Sequence, residues 1–275
     1  MITKYKMAVL LTCHNRKEKT IACLNALFFA ELPQEFDFDV FLVDDASDDG
    51  TAEAVKIKFP KVNIIKGTGN LYWNRGMHLA WENASESDEY DYFLWLNDDV
   101  IILPKAIIEL IESAEKCHSI ICGTMKSPNS GKATYGGRGN NGKVILPNGE
   151  LQQCNVINGN LVLVPKKVFS VVGNLDPIFP HAIGDYDYAL RAKSKGFLSY
   201  VSPNYMGYCE ENESLPKWCL PEVPLKERYK SLYSPLGNSE PVAYFRYVRR
   251  HMGSTHAIKS YLLIHTRLIF PKLWK

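Results

Sequence analysis

The sequence lacks any long hydrophobic run. No stretch of the 275 residues approaches the roughly 18 consecutive apolar residues that a membrane-spanning helix needs, so no spanning helix is predicted. The N-terminal "MITKYKMAVLLTCHNR" has a short apolar centre and no small-residue cleavage site. It therefore predicts a first β-strand rather than a signal peptide, and we expect the protein in the cytoplasm.

Net charge is small as well. The chain has 32 Lys and Arg against 30 Asp and Glu, a net charge of +2, which argues against nucleic acid as a partner of the whole surface. Its seven cysteines are odd in number and form no C-x-x-C pair, a pattern typical of reduced thiols rather than of a disulfide framework or a zinc site. With 46% hydrophobic residues, the composition predicts a folded chain of one large domain, or one domain with an appendage.

Strand-like and helix-like segments alternate over the first two thirds of the chain. The apolar "MAVLLTC" precedes a helical pattern over Lys17–Phe29, and "FDVFLVDD" precedes a helix that opens near Thr51. The run "YFLWL" leads into a helix that opens near Pro104, where proline suits the first turn. This alternation predicts βαβ units, and so an α/β fold with a mostly parallel sheet flanked by helices.

Residues 127–153 break the alternation, because they are rich in glycine and asparagine. They include "GRGNNG", which formally matches the dinucleotide-binding pattern G-x-G-x-x-G. That pattern must follow a buried strand and open an apolar helix, whereas the flanks here are polar. We therefore interpret the segment as a surface loop or β excursion.

Carboxylates follow two of the predicted strands. "FDVFLVDD" ends in Asp44 and Asp45, and "YFLWL" is followed by Asn97, Asp98 and Asp99. Unpaired carboxylates are costly in a strand buried on both faces, so these acids are predicted just beyond the strand ends, where open α/β sheets bind ligands. The first pair suits hydrogen bonds from a nucleoside and the second a divalent cation. The simpler alternative for the second set is a capped turn, and Ser47, Asp48 and Asp49, which follow the first pair, are interpreted as turn and N-cap residues.

Two further segments place polar groups at predicted helix starts. In "GNLYWNRG", Asn70 and Arg75 lie where a loop enters a helix, and the positive end of the helix dipole there suits a diphosphate. In "GDYDYALRAKSKGF" the pattern is helical from Asp185, with Asp187 and Arg191 as an i, i+4 ion pair. Asp185 then lies in the first turn, where it is either a cap or, if it faces a cleft, a general base.

Taken in order, "LLTCHNR", "FLVDDASDDGT", "GNLYWNRG", "LWLNDDV" and "GDYDYALRAKSKGF" resemble the motifs of the family 2 glycosyltransferases. The resemblance spans roughly residues 7–205. It implies a GT-A (Rossmann-like) fold and transfer of a hexose, with inversion, from a nucleotide-diphosphate sugar to an acceptor hydroxyl, with Mg²⁺ or Mn²⁺ as cofactor. On this basis residues 1–205 are predicted to form the nucleotide-sugar-binding and catalytic domain, and residues 206–275 a basic helical extension.

The resemblance also implies roles for individual residues. Asp185 matches the catalytic base and Asp99 the metal ligand. Thr12 and Asp44 match positions that hold the nucleoside, and Asp98 matches one near the donor ribose or sugar. The full set implied for nucleotide-sugar binding is Thr12, Asn15, Arg16, Asp44, Asp45, Asn70, Trp73, Arg75, Asn97 and Asp98.

Three positions depart from the family pattern. Asn97 stands first in the D-x-D-type motif and removes one negative charge from the predicted metal site. Gly184 stands where relatives often place a glutamate before the base. After the last core strand, where relatives often carry a histidine, the chain has Cys209 and Glu210.

The resemblance favours a role in bacterial surface polysaccharide synthesis, with a UDP- or dTDP-linked donor and a glycan or lipid-linked glycan as acceptor. "GNLYW" is similar to rhamnosyltransferase-like members, which favours a thymidine nucleotide. A sugar-nucleotide nucleotidyltransferase is less well supported, because it needs a glycine-rich phosphate loop after the first strand and "TCHNRKEKT" has no glycine. A binding or scaffold protein that kept the fold and lost catalysis stays open, since Asn97 and Gly184 depart from the pattern.

Residues 246–275 contain lysines and arginines but no acid, interleaved with Tyr247, Tyr261, Phe270 and Trp274. A basic, aromatic and partly amphipathic helix of this kind either lies on an anionic membrane surface, here at the inner face, or packs across the catalytic domain with a solvated basic face. The sequence leaves both interpretations open.

Overall fold

The computed structural model describes residues 5–210, 215–237 and 239–273. Within these ranges nine strands form one sheet, and helices cover both of its faces. The strands are β1 (Tyr5–Cys13), β2 (Phe36–Asp44), β3 (Asn63–Lys66), β4 (Tyr92–Leu96), β5 (Ile101–Ile102), β6 (Ile120–Lys126), β7 (Gln152–Cys154), β8 (Leu161–Pro165) and β9 (Ser199–Tyr208). The helices are α1 (Lys17–Phe29), α2 (Thr51–Lys58), α3 (Tyr72–Ser87), α4 (Ala106–Cys117), α5 (Lys166–Val172), α6 (Gly184–Ser194), α7 (Leu225–Leu232), α8 (Pro241–Met252) and α9 (Ser254–Ile269).

The sheet has the strand order β3-β2-β1-β4-β8-β6-β9-β5, and β7 also pairs with β9. Strands β3, β2, β1 and β4 are parallel to one another, and so are β6 and β9. Strand β8 runs antiparallel between β4 and β6, and the short β5 and β7 pair antiparallel with β9. The predicted α/β class with a mostly parallel sheet is confirmed.

Local patterns predicted several elements closely. Helix α1 has the predicted bounds, and α4 begins at Ala106, two residues after Pro104. Residues 127–153 form a loop with isolated β-bridges and the start of β7, and no helix follows its glycines. The glycine pattern there is therefore not a dinucleotide fingerprint. All seven cysteines are free thiols, as expected.

The central strands are buried on both faces. In β1, Met7, Val9 and Leu11 join the core on one side of the sheet, whereas Ala8 and Leu10 join the core on the other. Strand β4 alternates in the same way, and full burial of each large side chain contributes about 1.5–3 kcal/mol. Such strands have no room for polar side chains along their length. Polar groups therefore collect at the strand ends.

Strand direction decides which ends meet. Because β1, β2 and β4 are parallel, their carboxyl ends lie at one edge of the sheet. Strand β8 is antiparallel to β4, with Leu161 opposite Leu96, so the residues just before β8 reach the same edge. Strand β9 is parallel to β6 and so brings its carboxyl end to this edge too. Five segments of the chain thus converge on one place.

The C-terminal helices are attached to this body through a buried charge. The carboxylate of Asp187 on α6 has no exposed surface and pairs with Arg191 (Nε–Oδ2, 2.8 Å) on the same helix. From α8, Arg250 Nη1 and His251 Nε2 lie 2.7 and 2.9 Å from Asp187 Oδ1, and Arg250 also pairs with Asp176. Burial by itself would raise the pKa of Asp187, but the hydrogen bonds from His251, Arg191 and Arg250 outweigh it and lower the pKa.

The extension is helical, as predicted, and α8 packs through Ala243, Tyr247 and Val248 against Phe179 and Ile183. Strand β9 continues over the predicted boundary between residues 205 and 206 and ends at Tyr208. The division into two domains stays a prediction. Within the described ranges, no helix combines the length and apolar character needed to cross a bilayer.

Replacing the buried carboxylate should destabilise the fold. The variant Asp187→Asn removes the negative charge that Arg191 and Arg250 share, and removing one partner of a buried ion pair typically costs about 3–5 kcal/mol. We expect its free energy of unfolding in urea to fall by about 3 kcal/mol.

The matched control is Glu227→Gln, which breaks the exposed ion pair with Lys230 on α7. It should change the free energy of unfolding by less than about 1 kcal/mol. Equal stability of Asp187→Asn and the wild type would show that the network does not hold α8 in place.

Candidate active site

A cavity of about 810 Å³ lies at the edge of the sheet where the carboxyl ends of the parallel strands β1, β2 and β4 meet. Its walls come from the ends of β1 and β4, the start of α3, the loop before β8, the first turn of α6, and the C-terminal segment. The cavity brings together eight of the residues expected at the site: Thr12, Arg16, Asp45, Trp73, Asn97, Asp98, Asp99 and Asp185.

The two carboxylates after β4 share one guanidinium group. Nη1 of Arg16 lies 3.2 Å from Asp98 Oδ1 and 2.9 Å from Asp99 Oδ2. Burial raises the pKa of Asp98 to about 6, with Arg16 opposing the shift and Asp99 adding to it. The second oxygen of Asp98, Oδ2, is buried and has no hydrogen-bond partner among the residues that the structure describes.

Asp98 and Asp99 fit a divalent cation that takes most of its ligands from water and substrate rather than from the protein. Mg²⁺ is usually held by only one or two carboxylates together with phosphate oxygens, and Asp98 and Asp99 supply two carboxylates, one with an unpartnered oxygen. The described part of the chain contains no group of three or more His, Cys, Asp or Glu side chains arranged around a metal. Arg16 occupies oxygens of both acids, so it would compete with a cation for them.

Asn97 has a structural role that an aspartate could not fill. Its Oδ1 accepts a hydrogen bond from Trp73 Nε1 (2.6 Å), while its Nδ2 donates to Asn160 Oδ1 (2.6 Å). A carboxylate in its place could accept the first bond but has no N–H to donate in the second. The amide therefore links α3 to the loop before β8. This is the physical reason for the departure at the first position of the D-x-D-type motif.

Asp185 lies in the first turn of α6 and faces the cavity. Its Oδ2 accepts a hydrogen bond from the backbone N–H of Gly159 (3.0 Å), and its Oδ1 accepts one from the N–H of Tyr186 (2.9 Å). Burial raises the pKa of Asp185 to about 6, although these hydrogen bonds lower it. The carboxylate is thus ionised at neutral pH and more basic than an exposed aspartate, as a general base requires.

Two glycines make room for the site. A Cβ atom on Gly184 would lie 1.7 Å from Oδ1 of Asn74, a buried side chain held by hydrogen bonds to the carbonyls of Asp176 and Phe179. A Cβ on Gly159 would lie 2.2 Å from the ring of Trp73. The residue before Asp185 is therefore glycine because Asn74 fills the space that a larger side chain would need.

Asp45 lines the cavity, but its carboxylate already accepts three hydrogen bonds. They come from the backbone N–H groups of Gly69 (2.6 Å), Leu71 (2.8 Å) and Tyr72 (3.1 Å). The side chain thus holds the "GNLYW" loop against the end of β2. Thr12 packs against helix α3, which follows this loop: a Cβ atom on Gly76 of α3 would lie only 2.3 Å from Oγ1 of Thr12.

Four expected binding residues lie outside the cavity lining. Asp44 is buried and accepts a hydrogen bond from Ser47 N (3.0 Å). Asn15 accepts one from Asp48 N (2.8 Å), which fastens two turns together. Arg75 donates from Nε to Pro177 O (2.8 Å), and Asn70 is exposed beside the lining residue Gly69. A direct role of these four in nucleotide binding stays a prediction.

The structure also places in the cavity residues that local patterns did not mark. They are His14, Tyr72, Tyr135, Arg138, Asn158, Asn160, His181, Tyr186, Cys209, Leu236, Tyr244 and Tyr247. His181 accepts a hydrogen bond at Nδ1 from Trp73 N (3.3 Å), and burial, with the charge of Arg16, lowers its pKa to about 4. It is therefore neutral at pH 7.

Of the two residues that stand where relatives often carry a histidine, Cys209 is the one that lines the cavity. Its Sγ lies 3.8 Å from Asp99 Oδ1 and 3.5 Å from Asn160 Nδ2, and burial raises the pKa of the thiol to about 12. A neutral thiol thus stands beside the acid pair. Glu210 points elsewhere and accepts a hydrogen bond from Asn129.

A model of one protein family, described as glycosyl transferase family 2, matches residues 8–169, more than half of the chain. The chain belongs to glycosyl transferase family 2. The order of motifs along the sequence is thereby explained, and the chain is a glycosyltransferase by family and fold. No protein with a curated description matches its sequence.

Solved structures share the fold at low sequence identity. A mannosyltransferase, PcManGT from Pyrobaculum calidifontis, in complex with GDP-Man and Mn²⁺, has 13% identity and a TM-score of 0.58, over 95% of this chain and 74% of that one. TarS 1-349 from S. aureus has 15% identity and a TM-score of 0.55, over 94% and 71%. GalNAc-T7 with UDP, GalNAc and Mn²⁺ has 13% identity and a TM-score of 0.58, over 90% and 55%. These likenesses confirm the GT-A fold of this family 2 member.

A methyl group at position 184 should disturb the start of α6. The variant Gly184→Ala forces a Cβ into Asn74, whose hydrogen bonds prevent it from yielding, and overpacking of this kind typically costs about 1–3 kcal/mol. We expect that loss in the free energy of unfolding measured in urea.

A double-mutant cycle identifies the cause. In an Asn74→Ala background, Gly184→Ala should cost much less, because the clashing side chain is gone. The control is Gly139→Ala, where the nearest atom would lie at an ordinary 3.4 Å. An equal cost of Gly184→Ala in both backgrounds would contradict the packing explanation.

Proposed function

We propose that this family 2 glycosyltransferase moves a sugar from a nucleotide-diphosphate sugar to an acceptor hydroxyl with inversion at the anomeric carbon. One observation carries the proposal: a single cavity holds the acid pair Asp98 and Asp99 with Arg16, and also the separately buried carboxylate of Asp185. The first group suits a diphosphate and its cation, and the second suits proton removal.

Asp185 acts as the base in this proposal. The acceptor oxygen forms a bond to the anomeric carbon while its proton passes to the carboxylate of Asp185. The bond between the anomeric carbon and the diphosphate oxygen breaks on the opposite face, and its electron pair leaves with the nucleoside diphosphate. One displacement inverts the configuration. A pKa of about 6 keeps Asp185 ionised at neutral pH and ready to take the proton.

Asp98 and Asp99 would hold Mg²⁺ or Mn²⁺, with Asp99 as the principal ligand, because it is the more exposed of the two (side chains 23% and 7% exposed). When bound, such a cation neutralises charge that develops on the departing diphosphate. Arg16 adds a guanidinium group beside the acids, and guanidinium groups bind phosphate oxygens well. A nucleotide would thus meet positive charge at this end of the cavity.

The sequence and the residues that line the cavity support a proposal for the donor and the acceptor. A UDP- or dTDP-linked donor is proposed, with the thymidine nucleotide favoured by the similarity of "GNLYW" to rhamnosyltransferase-like members. The acceptor is proposed to be a glycan or lipid-linked glycan in bacterial surface polysaccharide synthesis. Support comes from the aromatic wall of Tyr186, Tyr244 and Tyr247, because aromatic side chains with a polar tip suit ligands that are partly apolar and partly hydroxylated.

Removing the base should abolish most transfer while leaving the donor site intact. General-base catalysis typically contributes about 10²–10⁴-fold, so Asp185→Asn should lower kcat by at least about 100-fold. Nucleotide affinity, measured by calorimetry, should stay within about twofold of the wild type.

The pH profile gives a second readout of the same role. A base works only when deprotonated, so wild-type kcat/KM should fall as pH drops through about 6. The asparagine variant should show a shallower fall there, because Asp98, whose pKa is also about 6, still titrates in that range. A limb near pH 4 would point to His181 instead. Near-full transfer by Asp185→Asn would refute the assignment.

Nucleotide binding should depend on metal through Asp99. We expect UDP or dTDP to bind in calorimetry with Mn²⁺ or Mg²⁺ present, and Asp99→Ala to weaken that binding by at least about tenfold, because it removes the principal carboxylate ligand. GDP serves as the comparison nucleotide.

The matched control is Asp48→Ala, which removes an exposed carboxylate outside the cavity lining and should bind as the wild type does. Should no nucleotide bind under any condition, the chain would be a binding or scaffold protein that kept the fold.

A further inference from the structure

Helix α9 has two apolar faces, and only one is covered. Ala257, Ile264 and Leu268 are buried against the rest of the protein. On another face Ile258, Leu262 and Ile269 are exposed by 54%, 61% and 53%. Their spacing of four and seven residues aligns them in one row along the helix. Phe270 and Leu273 continue the exposed apolar surface, at 60% and 56%.

The C-terminal segment that carries this row has charge of one sign. Residues 241–275 contain no Asp or Glu, whereas they contain Arg246, Arg249, Arg250, Lys259, Arg267, Lys272 and Lys275. Lys259 lies next to Ile258 and is exposed, and so are Arg249 on α8 and Lys272 after α9. An apolar row flanked by basic side chains is the arrangement of helices that lie in the interface of a membrane.

We propose that this docking face, formed by Ile258, Leu262, Ile269, Phe270 and Leu273 with its basic flanks, lies on an anionic membrane surface. Charge decides between this occupant and a second copy of the chain. Two copies facing each other would bring like charges together, whereas anionic lipids attract each nearby Lys or Arg and apolar side chains enter the acyl boundary. The face belongs to a helix of 16 residues that lies along a surface rather than across a bilayer.

The docking face is attached firmly to the cavity. Helix α9 packs on α8, and α8 is joined through Arg250 and His251 to Asp187 in the same helix as Asp185. From the same C-terminal region Leu236, Tyr244 and Tyr247 line the cavity. A protein docked through α9 would therefore hold the wall of its cavity at a fixed distance from the lipid. Membrane binding itself does not depend on the transfer reaction.

Vesicle co-sedimentation of the full-length protein tests the proposal. We expect binding to vesicles of phosphatidylcholine and phosphatidylglycerol, little binding to phosphatidylcholine alone, and a weaker interaction at high salt. The double variant Ile258→Ser/Leu262→Ser should bind the anionic vesicles at least about tenfold more weakly, since it removes two apolar groups from the docking face.

The matched control is Ile57→Ser on α2, which changes a side chain that is 84% exposed and outside the docking face, and should bind as the wild type does. Because all three changed side chains are exposed, both variants should unfold at the same temperature as the wild type.

Three results would overturn the proposal. They are absence of binding to anionic vesicles, equal binding by the double variant, and a wild-type dimer in solution that the double variant dissociates. The last would make a second copy the occupant of the face.

Discussion

Burial of β1 and β4 on both faces is the constraint on which the rest of the site depends. A strand with helices above and below can hold only apolar side chains along its length, so Asn97, Asp98 and Asp99 must lie beyond Leu96. Parallel pairing then brings this strand end next to the ends of β1 and β2. Chemistry is concentrated at one edge of the sheet because it is excluded from the middle.

The cost of placing acids there is met locally. Arg16 follows the end of β1 and forms ion pairs with both acids after β4, while Asp185 and Asp45 accept hydrogen bonds from backbone N–H groups. These two solutions have different chemical results. An acid with a cationic partner is suited to exchange partners, whereas an acid held by backbone amides keeps its position.

Much of the fold could be predicted from the sequence because its signals are local. Apolar runs ending in acids marked β2 and β4, and a periodic pattern marked α1 with its observed bounds. Three other features could not be predicted. The pairing of antiparallel β8 with β4 depends on contacts distant in sequence, and it alone brings Asn160 beside Asn97. Tyr244 and Tyr247 reach the cavity only through the docking of α8. The strand-end position of Asp45 gave no sign that the "GNLYW" loop would use its carboxylate.

Two of the three departures from the family pattern have packing reasons. Asn97 must donate as well as accept, and Gly184 must leave space for Asn74. Each unusual residue is matched by a partner elsewhere in the chain: Asn160 and Trp73 for the first, Asn74 for the second. Neither departure by itself indicates a site that has decayed.

The ion pairs of Asp187 have a consequence for how this architecture can be recombined. A chimera that takes residues 206–275 from a relative would leave the carboxylate of Asp187 buried without the partners that α8 supplies, unless the new segment carries equivalents of Arg250 and His251 at matching places. The C-terminal helices and α6, which carries Asp185 and Asp187, are therefore expected to be exchanged, or inherited, as one unit.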